Sequence, residues 1–257
     1  MSNEYKKPTG TAHGIYKDML RQEHLLIAGC KGSGKSTVMN GMLYAALEQP
    51  PTDESDGARF ILIDPKGIDF LIYADIPHTL AYASEEEEIV AALEQAVSIM
   101  EARYKEVAAR SRTEHKRYSK YWGGHVYVIV DEYADLITTI KRETQPLIQR
   151  LAQKGRAANV HVILATQCPK ADVIDTKIKC NFDSRVGLRT SSRQDSRNIL
   201  DRTNEDGGDA CAALPKYGYG IYSTADGVRK VTLPMYKDAE LEARVAWWVN
   251  QREQERA

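Results

Sequence analysis

"HLLIAGCKGSGKST", residues 24–37, sets an apolar run against a glycine-rich turn that closes on a lysine and two hydroxyls. Its central octet, Gly29 to Ser36, matches G-x-x-x-x-G-K-[ST] in full. The apolar residues before it predict a short buried strand, and "TVMNGMLYAALEQ" (37–49) predicts a helix after it. In that order of strand, loop and helix, the glycines allow tight turns and aim backbone N–H groups at phosphate oxygens. The helix from Ser36 adds its positive end. Lys35 then reaches the β- and γ-phosphates and Ser36 ligates Mg²⁺. The candidate nucleotide-binding set is Gly29, Cys30, Lys31, Gly32, Ser33, Gly34, Lys35, Ser36 and Thr37. Cys30 reads as small filler, with redox sensing as the alternative; Lys31 faces either solvent or nucleotide. A glycine-rich surface turn would leave the lysine directly after a buried strand unexplained.

Downstream segments extend this into an alternation of strands and helices. "RFILIDPKG" (59–67), "HVYVIVDEYADL" (125–136) and "VHVILATQ" (160–167) each carry an apolar strand. Continuous rather than alternating apolarity marks central parallel strands covered on both faces. Parallel strands present their carboxyl ends to one ligand edge, so Gly29, Asp131 and Gln167 are expected to converge on one nucleotide. Asp131 is the expected carboxylate for Mg²⁺, alongside Ser36, and Glu132 the expected acceptor of a proton from an attacking water. Gln167 can sense the γ-phosphate or position water, because an amide both donates and accepts; a backbone cap is its plainer use. Arg156 in "QKGRAAN" (153–159) precedes its strand and so points away from its own site, toward a neighbouring subunit's nucleotide, with a surface ion pair as the alternative.

Residues 85–121 read as one long helix, broken near Ser111, whose later part carries Arg103, Lys105, Arg110, Arg112, Lys116, Arg117 and Lys120 as a solvated face or a DNA contact. "SRVGLRT" (184–190), "YGYGIYS" (217–223) and "VRKVTLP" (228–234) predict weaker strands, and 192–201 and 238–255 helices. In the last helix Leu241, Val245 and Trp248, with Trp247 beside them, form a stripe that packs on the core or recruits a partner. The 257 residues have a formal net charge of -1, so only a local basic surface would serve nucleic acid. No stretch reaches the ~18 apolar residues of a membrane span, and the N-terminus lacks the apolar run of a signal peptide. Four cysteines without C-x-x-C spacing support neither a zinc ribbon nor a disulfide framework, and a reducing cytoplasm is expected.

These segments, with "ILIDPKGIDF", "RLAQKGRAANVHVILATQCP", "DVIDTKIKCNFDSRV" and "SSRQDSRNILD", occur in the order found in the motor domain of FtsK/SpoIIIE DNA translocases. The chain resembles that family over about residues 20–222, within the wider group of HerA-type ring ATPases. The resemblance implies a RecA-like P-loop NTPase: an α/β fold with a central, mostly parallel sheet flanked by helices. It implies ATP and Mg²⁺ as ligands, a homo-oligomeric ring (a hexamer) and double-stranded DNA as partner. Lys35, Glu132, Gln167 and Arg156 then form the catalytic set, Arg156 as a finger acting in trans. Asp64 and Lys66 fall in the family's Asp-Pro-Lys segment near the motor core, and Arg185 and Arg197 match family arginines at the interface or channel. The expected division is an N-terminal extension (1–20), the motor (21–236) and a C-terminal helix (237–257).

The chain also departs from the family. Cys168 stands where the family has arginine after Ala-Thr-Gln, removing one candidate backbone contact that Lys170 can replace. Residues 205–220 match poorly. No membrane anchor or DNA-orienting winged-helix module is expected, which suggests a minimal motor for plasmid, integrative-element or phage DNA transfer, recruited by a partner protein. The alternatives are a protein-translocating ATPase of the type VII secretion kind and a ring adaptor that binds nucleotide without turning it over. A small-molecule kinase fits the phosphate loop but not Gln167.

Overall fold

Strands that are apolar at every position need cover on both faces, and the chain builds its architecture around them. The computed structural model describes residues 12–167 and 173–256. Eight strands form one sheet: β1 (His24–Ala28), β2 (Ala58–Ile63), β3 (Thr79–Ala83), β4 (His125–Val130), β5 (Val160–Thr166), β6 (Ser184–Gly187), β7 (Tyr219–Thr224) and β8 (Gly227–Thr232). Their spatial order is β3-β2-β4-β5-β1-β6-β7-β8. The first six run parallel; β7 and β8 continue antiparallel as a hairpin. This is the mostly parallel, helix-flanked sheet of a RecA-like P-loop NTPase.

The helices are α1 (Gly14–Leu20), α2 (Lys35–Ala46), α3 (Glu86–Thr113), α4 (Tyr133–Thr139), α5 (Lys141–Lys154), α6 (Thr176–Lys179), α7 (Arg193–Leu200) and α8 (Asp238–Arg256). Two large apolar clusters fill the faces. One joins α1 and α2 to alternate residues of β1, β2, β4 and β5, including Leu25, Ile27, Phe60, Leu62 and Ile129. The other joins α3 and α5 to the intervening residues, including Leu26, Ile61, Val128 and Val162. α8 lies on the first cluster: Leu241 and Val245 are buried, and the Trp248 indole donates to the Leu47 carbonyl at 3.1 Å while meeting His78 edge-on. No helix among the described residues is long and apolar enough to cross a membrane.

Three expectations change. The helix expected over 85–121, with its break near Ser111, ends at Thr113 and does not resume: Glu114 caps it, His115 turns left-handed at φ 50°, and residues 114–124 form a loop. Arg103, grouped with the exposed basic face, is buried and donates to the Ala158 and Asn159 carbonyls. Arg185, matched to the interface or channel, is buried too: it donates to the Phe182 carbonyl and pairs with Asp201, tying β6 to the turn after α6 and to the C-terminal end of α7.

Candidate functional site

The carboxyl ends of the parallel strands bring the sequence candidates together. Gly29 follows β1 and its N–H donates to Thr166 O, the last residue of β5, at 3.3 Å. Asp131 follows β4 and its N–H donates to Ile63 O at 3.0 Å, which sets Asp64, the residue after β2, beside it. The edge therefore reads Asp64, Asp131, Gln167, Gly29 across four adjacent strands. The glycines have physical reasons. A Cβ on Gly29 would lie 2.6 Å from Ser33 Oγ and 2.7 Å from Leu188 Cβ, and Gly34 caps α2 at φ 101°, a left-handed conformation.

Lys35 is buried at the first position of α2 and its ammonium turns back onto the Gly29 carbonyl at 3.3 Å. Burial draws that ammonium below the ordinary lysine range, against the pull of Glu132 and Asp131. Ser36 and Thr37 follow it at the helix start, half-buried. Ser33 Oγ in the loop is buried and has no hydrogen-bond partner among the described residues. Glu132 is buried, and both its carboxylate oxygens accept the Gln167 backbone N–H, at 2.9 and 3.2 Å. The Gln167 side chain is exposed at the same edge. Cys168 and Lys170 lie outside the described residues.

Two features go beyond the sequence reading, which sets Asp64 and Lys66 near the motor core without naming their partners. Lys66, after β2, places its ammonium 3.2 Å from Asp131 Oδ2. Although partly desolvated, Lys66 is held above the ordinary lysine range by Asp131, with Glu132 and Asp135 adding to it. Asp64 shapes that loop by accepting the N–H groups of Gly67 and Phe70. Carboxylate oxygens of Asp64, Asp69 and Asp131 lie within 4.8 Å of one another. Burial, with repulsion from Asp69, pushes Asp131 up to about 6, and Lys66 opposes the shift. Hard oxygen donors beside a phosphate loop are the set that Mg²⁺ takes, so the residues fit the ion that the loop implies. Second, a cavity of about 600 Å³ opens between Ser33, Gly34 and Thr37 on one side and Tyr217, Leu233 and Met235 on the other. Its far wall comes from residues flanking β7 and β8, at least 180 positions along the chain, where no motif signals a site.

Two arginines lie elsewhere. Arg156 follows α5 at the opposite end of β5, exposed and ion-paired with Glu23. Arg197 on α7 pairs with Asp209 at 2.5 Å.

A sequence profile of the FtsK/SpoIIIE family matches residues 6–125 and 123–171. A DNA translocase FtsK of Rhizobium meliloti (strain 1021) is 33% identical over 271 aligned residues, which cover 91% of this chain and 30% of that protein. The chain spans less than a third of the curated relatives it matches. Among solved structures, the pCW3 conjugation coupling protein TcpA, in its monomer form with ATPγS, superposes with a TM-score of 0.73 at 20% identity. That match covers 93% of this chain and 66% of TcpA. The cytoplasmic domain of the Thermomonospora curvata type VII secretion ATPase EccC gives 0.67 at 22% identity, over 89% of this chain and 28% of EccC. Both likenesses are of fold.

Proposed function

We propose, because the chain belongs to the FtsK/SpoIIIE family, that it is an ATP-hydrolysing motor that moves double-stranded DNA as a ring of subunits, in plasmid, integrative-element or phage DNA transfer. The observation that carries this reading is the meeting of Lys35, Asp131, Glu132 and the end of β5 on one sheet edge. In this reading the loop Gly29 to Thr37 wraps the phosphates with backbone N–H groups, and Lys35 exchanges the Gly29 carbonyl for phosphate oxygens. The base and ribose sit in the cavity between Thr37 and the Tyr217–Leu233 wall. Ser36 and Asp131 would hold Mg²⁺, which when bound neutralises charge on the β- and γ-phosphate oxygens. Glu132, fixed by the Gln167 N–H, accepts the proton of the attacking water. The exposed Gln167 amide faces the γ-phosphate from the neighbouring strand. A partner protein would recruit the ring to its DNA.

ATP turnover is expected to rise severalfold with long linear duplex at low salt. Turnover unmoved by duplex but raised by a secretion-signal peptide would instead favour protein translocation, the reading that the EccC likeness supports.

Arg156 belongs to the reading as a residue acting in trans. Facing away from its own nucleotide edge, it can serve only a neighbour's, and its Glu23 pair is a surface contact that costs little to exchange. Mixing Arg156→Ala subunits with wild type is expected to depress turnover below the wild-type share. Turnover falling in simple proportion would remove Arg156 from catalysis.

A further inference from the structure

The end of α3 and the loop after it hold the densest basic segment of the chain. From Arg110 to Lys120 there are five cationic side chains (Arg110, Arg112, Lys116, Arg117, Lys120) against the single carboxylate of Glu114, a net of +4 in a chain whose total is -1. The segment is ordered by its own contacts. The Arg110 guanidinium sits 4.6 Å from the Tyr118 ring centre and 4.4 Å from that of Trp122, and pairs with Glu114 at 2.7 Å. Glu114 also accepts the Tyr118 hydroxyl. The loop is anchored behind this clamp: Tyr121 N–H donates to Ala157 O at 2.7 Å, and the Asn159 amide donates to the Tyr121 and Gly123 carbonyls. Arg103 lies beneath, 4.5 Å from the Tyr121 ring centre.

Arg110 is thus committed within the segment, and four cations remain. Arg112, Lys116, Arg117 and Lys120 are all exposed, and among the described residues none has a carboxylate within 4 Å; Lys116 keeps a looser contact, 5.4 Å from the Tyr118 ring centre. A fold that needed these charges for its own stability would pair them. Their position also matters. They lie at the amino-end edge of β4 and β5, where Tyr121 and Gly123 meet Ala157 and Asn159, opposite the nucleotide edge. The other end of α3, 28 residues away, opens on Glu85, Glu86, Glu87 and Glu88. A polyanion is therefore drawn to the rear edge and repelled from that acidic helix end.

We propose that the segment Arg110–Trp122 is a contact site for the phosphodiester backbone of duplex DNA, with Arg112, Lys116, Arg117 and Lys120 as the phosphate ligands and the Arg110–Tyr118–Trp122 clamp as their support. An anionic membrane would call for apolar side chains to insert beside the charges, and the segment exposes one large one, Trp122. The assignment rests on the DNA-motor reading and adds to it a place where duplex touches the subunit. Such contacts set affinity and salt dependence, not sequence preference.

The test is fluorescence anisotropy of a labelled duplex across a salt series, without nucleotide. Lys116→Gln/Arg117→Gln is expected to weaken binding on the order of tenfold at low salt and to lower the slope of log K against log salt by about 2. The four-site variant, adding Arg112→Gln and Lys120→Gln, should lower it by about 3–4. Basal ATP turnover and melting temperature should stay at wild-type values. A control pair on α5, Lys141→Gln/Arg142→Gln, should keep wild-type affinity. Equal losses in both pairs, no loss in the first, or poly-glutamate competing as well as duplex, would overturn the assignment. Wild-type protein that binds no duplex at all would remove the DNA-motor reading, and this site with it.

Discussion

Glu132→Gln is expected to bind ATP as the wild type does and to hydrolyse it roughly 10²–10⁴-fold more slowly, the usual contribution of a positioned general base. The substitution is conservative in this site for a specific reason. Glu132 is buried, and its carboxylate is held by the Gln167 N–H. The glutamine carbonyl oxygen can accept that same hydrogen bond, so the end of β5 stays where it is. What disappears is the charge and the capacity to take a proton from water. The loop from Gly29 to Thr37, which in the proposed reading holds the phosphates, belongs to another strand and helix and is untouched. Nucleotide titration and single-turnover hydrolysis separate the two effects. Equal turnover in variant and wild type would remove Glu132 from the chemistry. Loss of binding would show instead that the carboxylate shapes the phosphate loop.

The parts of this site that sequence exposes are those that local chemistry dictates. The phosphate loop needs glycine where a Cβ would strike Leu188 and where α2 begins left-handed, so its pattern is visible without a fold. β1, β4 and β5 are apolar throughout because helices cover both faces, and that continuity is readable. β3 escaped because it is an edge strand with only Ala83 buried, so neither alternation nor continuity marks it. α4 is seven residues long and starts directly on the acidic pair, too short to show a period. The break read near Ser111 falls two residues from the end of α3, but the helix expected beyond it is a loop, because no glycine or proline marks that stretch and charged residues suit a helix and a loop equally. Lys66 against Asp131, and Tyr217 across from Thr37, are meetings of distant segments. Composition holds no trace of such pairs until the sheet order is known.

Asp131→Asn is expected to make the nucleotide-free protein more stable at neutral pH while lowering Mg²⁺-dependent turnover on the order of 10²-fold or more. Burial and the neighbouring Asp69 push the Asp131 carboxyl up to about 6, whereas in the unfolded chain it titrates at its ordinary 3.8. Between those values the native state holds a proton that the unfolded state has lost, so this group's contribution to stability falls as pH rises. Below about 4 both states are protonated and the penalty is absent; above about 6 it is complete, at about 1–3 kcal/mol. Asparagine removes the charge and therefore the penalty. Lys66 loses its 3.2 Å partner, but its side chain is 41% exposed, and a solvated ammonium gives up little. Urea denaturation of both proteins from pH 4.5 to 7.5 should show the variant's advantage growing through the interval and levelling near neutrality. A difference that stays constant with pH would mean that Asp131 is not held as a strained anion. The same charge that weakens the empty fold is the one a divalent ion relieves, so added Mg²⁺ and nucleotide should raise wild-type stability and leave the variant nearly unmoved.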